Sequence, residues 1–210
     1  MNAAPQTPDP RPALARATEQ LAELLDGLRP GQLDAPTPCA EFDVRALLGH
    51  VTGVADRFAN LGEGGSVVGP GVPEWAAGLP AGDWPDTYRR ARERLLAAWR
   101  DDARLEAVVT APWGTVPGRI ALSGCVMETV VHGWDLARAL GRDPGLDPEP
   151  AALALATAER AVPAGSRAHI PFDEARPVPA DAGVHERLAA WLGRDPRWTP
   201  GTAGRGTGTA

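Results

Sequence analysis

Four histidines, two cysteines and an excess of acidic over basic residues carry the reactive chemistry open to this 210-residue chain. Two of the histidines stand inside apolar helical stretches, where an imidazole needs a reason to be. One stretch reads Ser123-Gly124-Cys125-Val126-Met127-Glu128-Thr129-Val130-Val131-His132-Gly133-Trp134-Asp135. Glu128 and His132 are four apart and share a helix face, and Asp135, three further on, joins them. Small residues, Ala121, Gly124, Cys125 and Ala139, flank that stripe. A row of Glu, His and Asp between small side chains makes a poor core face and a good pocket wall. The other histidine, His50, lies at the edge of a second apolar stripe, about 100° from its centre. Two imidazoles and one carboxylate from two helices form a three-ligand set for a divalent metal, with a coordination position left for water or substrate. Zinc is the first candidate; nickel, iron and manganese accept the same ligands. A Glu-x-x-x-His pair also arises as a solvated helix pair, and a helical histidine as an ordinary core or boundary residue; spacing alone does not choose.

Other residues have two readings each. Asp135 either accepts a proton donated by His132, orienting the ring, or pairs on the surface with Arg138. Arg45, Arg57 and Arg138 flank the ligand set; they either grip a substrate carboxylate or lie in solvent. Cys39 is expected as a small buried residue at a helix entry, and Cys125 as core filler that could reach a metal. Trp134 points away from the Glu128 stripe, into the core. Trp75, Trp84 and Trp113 either roof a pocket or anchor loops. His169 and His185 are expected to be exposed.

These side chains must be held by helices. Leu14, Ala17, Leu21, Leu24, Leu25 and Leu28 recur at helical period from Arg11 to Arg29, where Pro30-Gly31 ends the run. Val44, Leu47, Leu48, Val51, Val54, Ala55 and Phe58 repeat the pattern from Asp43 to Leu61. A third helix is expected from Trp84 to Ala103 and a fourth from Pro117, suited to a first helical turn, to Leu140. Shorter ones follow over Glu149–Val162 and Val184–Leu192, with a small hairpin over Ala107–Thr110 and Gly114–Val116. Four long amphipathic helices bury their stripes most simply against one another. The fold expected is therefore all-α: an antiparallel four-helix bundle with C-terminal helical additions. It should occupy 11–196, between a disordered N-terminus (1–10) and a disordered Gly/Thr-rich tail (197–210).

The net charge of −6 excludes a protein built to grip phosphate backbones, so no nucleic-acid partner is expected. All 21 basic residues are arginine, which rules out a lysine Schiff base and a P-loop lysine. No apolar run is long enough for a membrane span, and no secretory signal precedes the first helix. A cytoplasmic protein follows as the expectation, and a homodimer is admitted. Two cysteines are too few for a disulfide scaffold.

The stretch Thr37-Pro38-Cys39-Ala40-Glu41-Phe42-Asp43-Val44-Arg45-Ala46-Leu47-Leu48-Gly49-His50-Val51 resembles the opening of mycothiol-dependent maleylpyruvate isomerase-type metal-binding domains. The stretch His132-Gly133-Trp134-Asp135-Leu136-Ala137-Arg138-Ala139-Leu140-Gly141 is similar to their histidine-containing segment. Val178-Pro179-Ala180-Asp181-Ala182, Arg187-Leu188 and Leu192-Gly193-Arg194-Asp195-Pro196 resemble the C-terminus of a short, single-domain actinobacterial branch. The wider group is the DinB/YfiT-like superfamily of metal-binding four-helix bundles. The resemblance implies a divalent metal held by His50, Glu128 and His132. It also implies mycothiol or a similar low-molecular-weight thiol as cosubstrate, and a small electrophile as substrate of a transferase or isomerase. In the isomerase proper a second, sterol-carrier-like domain completes the active site; the residues after Gly141 show no βαβ pattern for one. Three functions are therefore carried forward: a metal- and thiol-dependent S-transferase or isomerase, with hydrolysis by metal-bound water as a variant; a non-catalytic metal-binding protein; and a metal-free helical interaction module.

Overall fold

Leu14, Leu21, Leu24 and Leu25 are fully buried on helix α1, Arg11–Leu25. The computed structural model describes residues 8–67, 69, 71–142, 145–165, 167 and 170–200. The helix stops four residues short of the expected Arg29. Asp26 turns extended, and Gly27 takes φ +72°, a left-handed conformation that favours glycine. Arg142 closes this end, donating Nη1 to the carbonyls of Leu24 at 2.7 Å and Asp26 at 3.0 Å. A single 3₁₀ turn, Pro30–Gln32, follows.

Helix α2, Val44–Gly62, starts where Asp43 accepts the backbone N–H of Ala46 at 2.8 Å. The loop before it is tied by Thr37, whose hydroxyl reaches the carbonyls of Cys39 at 2.9 Å and Phe42 at 2.7 Å. The third expected helix is two elements. Helix α3, Trp84–Ala98, ends before Trp99, whose indole donates to the Phe58 carbonyl at 2.8 Å. The short helix α4, Asp102–Glu106, is then capped by Asp101, which accepts from Ala103 at 2.9 Å. An N-cap aspartate restarts the helix, a signal present in the sequence but masked by the continuous apolar spacing.

The expected hairpin is present as β1, Val108–Ala111, and β2, Gly114–Pro117, antiparallel with Val109 opposite Val116. Pro117 ends β2 and does not enter the first turn of helix α5, Gly118–Ala139. Helices α6, Pro148–Ala161, and α7, Val184–Trp191, complete the described elements. Among these residues the chain is mostly helical, with one small sheet.

Helix α5 is buried on nearly every face, so it is the axis of the fold. It packs against α1, α2, α6 and α7, while α3 packs against both α1 and α2. Polar residues on α5 therefore face protein, not water. None of the described helices is long and apolar enough to cross a membrane. Trp198 is buried in the cluster around Leu21 and Leu47, so packed chain reaches beyond the expected start of the tail at 197. Asp9 binds the Arg11 side chain at 2.6 Å, within the stretch expected to be disordered. The rest of both terminal calls, 1–7 and 201–210, lies outside the described residues, as does His169.

Candidate metal centre

His50 on α2 and Glu128 and His132 on α5 converge. Their ligand atoms all lie within 4.8 Å of one another. Glu128 Oε2 stands 3.5 Å from His50 Nε2 and 3.4 Å from His132 Nε2. The two imidazoles meet edge to face with centroids 4.9 Å apart, and Phe42 lies 4.9 Å from the His50 ring.

The far side of each ring is occupied. His132 Nδ1 is 3.0 Å from Asp135 Oδ2, and His50 Nδ1 is 3.1 Å from the Gly71 carbonyl. A carboxylate and a carbonyl only accept, so each Nδ1 donates, and a neutral ring then turns the lone pair of Nε2 toward Glu128. Gly49 makes this possible on α2. A Cβ there would fall 2.7 Å from Ala76 Cβ and 2.9 Å from Val72 Cγ1, so only glycine lets the 71–76 segment lie against the helix and deliver its carbonyl.

Electrostatics follow the geometry. Burial alone would raise the Glu128 carboxyl, but hydrogen bonds and charges from His132 and His50 outweigh it and hold it well below the usual range. Burial alone would lower His132; its bonds to Asp135 and Glu128 reverse that and raise it. Asp135 is fully buried. Its Oδ2 also accepts Arg194 Nη2 at 3.3 Å, which supplies the cation a buried carboxylate needs.

The reading of Asp135 as the orienting partner of His132 thus matches the geometry, and the pairing with Arg138 does not occur. Arg138 instead lies 3.6 Å from Glu186 and 5.1 Å over the Trp134 ring. Arg45 donates to the Leu79 carbonyl at 2.8 Å. Neither lines the pocket at the ligand set, because each reaches to a partner on another element, Leu79 or Glu186. Arg57 is half-buried; burial lowers its pKa and the Glu128 charge raises it, so it is electrostatically coupled to the site. Cys39 forms an overlapping group with His132 and Asp135. It is the poorer metal site, because Asp135 already holds Arg194 and burial pushes the Cys39 thiol up to about 11. Cys125 is core. Trp84 is fully buried with Trp75 against it, 5.8 Å between centroids, and Trp113 packs 6.1 Å from Phe58. None of the three lines the pocket over His50, Glu128 and His132. His185, expected exposed, is half-buried between α7 and its surroundings, and burial lowers its pKa.

A pocket of about 360 Å³ opens over His50, Glu128 and His132. Its opposite wall comes from the chain around α7 and includes Arg167, Phe172 and Arg194. Sequence reasoning missed both arginines as site residues. Arg194 sat in a quoted C-terminal motif, whereas nothing in the Pro/Gly-rich stretch around Arg167 marked it.

The family model of the mycothiol maleylpyruvate isomerase N-terminal domain matches residues 14–137. Uncharacterised proteins of Mycobacterium tuberculosis, strains CDC 1551 / Oshkosh and ATCC 25618 / H37Rv, are each 33% identical over 195 residues, 90% of this chain and 100% of theirs. The crystal structure of a mycothiol-dependent maleylpyruvate isomerase superimposes with TM-score 0.59 at 21% identity, over 70% of this chain and 66% of that one. A histidine-to-alanine mutant structure of mycothiol-dependent maleylpyruvate isomerase gives 0.57 at 19%, with the same coverage. The match is one of fold, and it spans just under two thirds of the solved chains.

Proposed function

The chain belongs to the mycothiol maleylpyruvate isomerase N-terminal domain family, and on that premise we propose that it binds a divalent metal, zinc first, through His50, Glu128 and His132, and acts with mycothiol or a similar low-molecular-weight thiol on a small electrophile as an S-transferase or isomerase. One observation carries this reading. Two ring nitrogens and a carboxylate oxygen crowd within 4.8 Å, and when both rings are neutral with Nδ1 donating backward all three are acceptors. Such a set is held together either by protons on the rings or by a cation among the three atoms, and a divalent ion would meet all three at once.

A divalent ion held there supplies a Lewis acid that makes a thiol acidic at neutral pH. The chain's own residues do the rest. Asp135 and the Gly71 carbonyl fix both imidazoles, so that the Nε2 atoms cannot rotate away. Phe42 packs against the His50 ring. The pocket is of the size that takes a small molecule. The chemistry that fits is addition of a thiolate to one carbon of a conjugated alkene. Rotation about the saturated bond and expulsion of the same thiol gives the isomer. Retention of the sulfur, with the thiol's proton passing to the neighbouring carbon, gives the conjugate.

Elemental analysis of protein purified without added metal tests the reading. One equivalent of a divalent metal in the wild type, lost in His50→Ala and Glu128→Gln, is the expected result. Metal absent from the wild type, or retained by both variants, overturns it. A zinc-loaded chain should then consume mycothiol, or isomerise a conjugated cis-alkene in its presence.

A further inference from the structure

Trp113 forms with Pro112 the turn between β1 and β2, and its indole stands outside the pocket over His50, Glu128 and His132. The ring rests where α2 and α5 meet. A Cβ at Gly124 would fall 2.5 Å from its Cη2 and 2.6 Å from its Cζ2, and Phe58 of α2 lies 6.1 Å away, centroid to centroid, at an interplanar angle of 30°. Glycine inside a helix weakens it, so α5 gives up stability to seat this ring. A ring kept only to anchor its turn would end buried, as Trp84 and Trp99 do, but Trp113 is 51% exposed.

The line of contact between α2 and α5 leads from this ring to the ligand set. Gly124 and Glu128 are one turn apart on α5, about 6 Å along the axis and about 40° around it, so indole and carboxylate share one rim. On α2 the same stretch runs from Phe58 to His50, about 12 Å. Ile120, one turn before Gly124, is exposed as well. Of the four large apolar side chains exposed among the described residues, two therefore stand on the rim that ends at the candidate metal centre.

We propose that Trp113 is a stacking platform for a sugar or cyclitol ring, the non-reacting part of a thiol whose sulfur is held at His50, Glu128 and His132. The assignment rests on the metal-and-thiol reading and says where the body of that thiol lies. A half-exposed indole suits such a ring better than it suits an aliphatic tail. A hexose turns C–H bonds to the indole face and keeps its hydroxyls in water, whereas a tail gains only from apolar surface removed from water and needs a closed groove. Mycothiol has this chemistry: N-acetylcysteine joined through glucosamine to inositol, with the sulfur a few bonds from the first ring.

Glucosaminyl-inositol, which lacks the thiol, is the probe, with glycerol and N-acetylcysteine as controls. The indole Nε1–H resonance of Trp113 in the full chain, assigned by its loss in Trp113→Phe, should shift on titration with the probe and stay fixed with either control at the same concentration. Gly124→Ala, which pushes the indole off α5, should weaken the probe about fivefold, the scale of one aromatic contact. Circular dichroism shows whether that variant keeps the fold; the wild-type resonance carries the test if it does not. In turnover, Trp113→Leu should cut the preference for mycothiol over N-acetylcysteine, read as the ratio of their kcat/KM values, by about the same factor. A fixed Trp113 resonance, an equal shift with glycerol, or an unchanged preference overturns the platform. A larger shift with pentanol than with the probe overturns it in favour of an apolar tail. The probe carries no sulfur, so its binding needs no metal. A chelated chain that still shifts keeps the platform even if the metal-and-thiol reading fails, and a zinc-loaded chain that ignores the probe sinks the platform alone.

Discussion

His132 is placed by the turn of α5, one step above Glu128, and any chain that folds this helix sets the two side by side. Arg167 is placed by donating to three carbonyls, those of Pro163 and Asp173 in irregular chain and that of Trp191 at the end of α7. The two walls of the pocket thus differ in what fixes them. The helical wall is redundant: regular backbone, packing on five other described helices and hydrogen bonds behind each ring all agree. The C-terminal wall hangs on a few charged contacts, and so it is the wall that sequence change can most easily remodel.

Breaking the first wall should have the largest effect. His50→Ala or Glu128→Gln should reduce bound metal to below roughly a tenth of an equivalent, since either leaves only two ligands. Arg194→Lys and Arg167→Lys should leave it near one, measured by elemental analysis. If the arginine variants lose metal as fully as the ligand variants, the walls are not independent. Next comes Arg194→Ala, which leaves Asp135 charged and buried with the His132 ring but without its guanidinium partner. It should cost about 3–5 kcal/mol, read as a lower urea midpoint at unchanged slope. Chelation of the wild type should remove about 2.7 kcal/mol if free metal had stood at roughly a hundred times its Kd. That loss should register as a fall in Tm of roughly 5–11 °C, and it should be missing in His50→Ala.

Asp135→Asn probes the one residue that touches both walls. It keeps an oxygen to accept from His132 but surrenders the charge facing Arg194. Metal affinity should fall about 10- to 100-fold, measured by competition with a chromophoric chelator. An unchanged affinity would mean that Asp135 serves only the C-terminal wall. The smallest effect is in pH. In chelated protein His132 has a raised pKa, so the stability it contributes is present below its unfolded value and lost as pH rises through the folded one. In metal-loaded protein the trend should reverse, because binding to imidazole competes with protons. Denaturant titrations at several pH values, with and without chelator, would show two slopes of opposite sign; equal slopes would mean that no metal competes for the ring.

The three residues proposed as ligands were legible because each carries a local signal. Glu128 and His132 declare one helix face by their spacing, and His50 sits at a stripe edge inside a motif that resembles a known family. The contact of Asp135 with His132 was legible for the same reason. The failures have a common cause. Arg45 and Arg138 are near the ligands in sequence, but their long side chains reach other partners, Leu79 and Glu186. Trp75, Trp84 and Trp113 lie in or beside loops, and a loop's sequence does not say which surface it will lie on. The early end of α1 and the break before α4 turned on Gly27 and Asp101, single residues inside otherwise continuous apolar periodicity.

What the sequence determined by itself is therefore what a helix repeats every few residues: which side chains share a face, that the faces are apolar apart from one polar row, and which family that row resembles. Such relations span a turn or two, and their geometry is fixed by backbone hydrogen bonding alone. What only the tertiary structure decided is distance across elements: that His50 meets Glu128 at 3.5 Å, that Gly71 stands behind it, and that Arg194 neutralises Asp135 from 59 residues away. Those separations depend on how whole helices and irregular segments pack, and each contact there draws on residues from several elements at once. No local pattern encodes that sum, which is why the proposed ligands could be read in advance and the arginine wall could not.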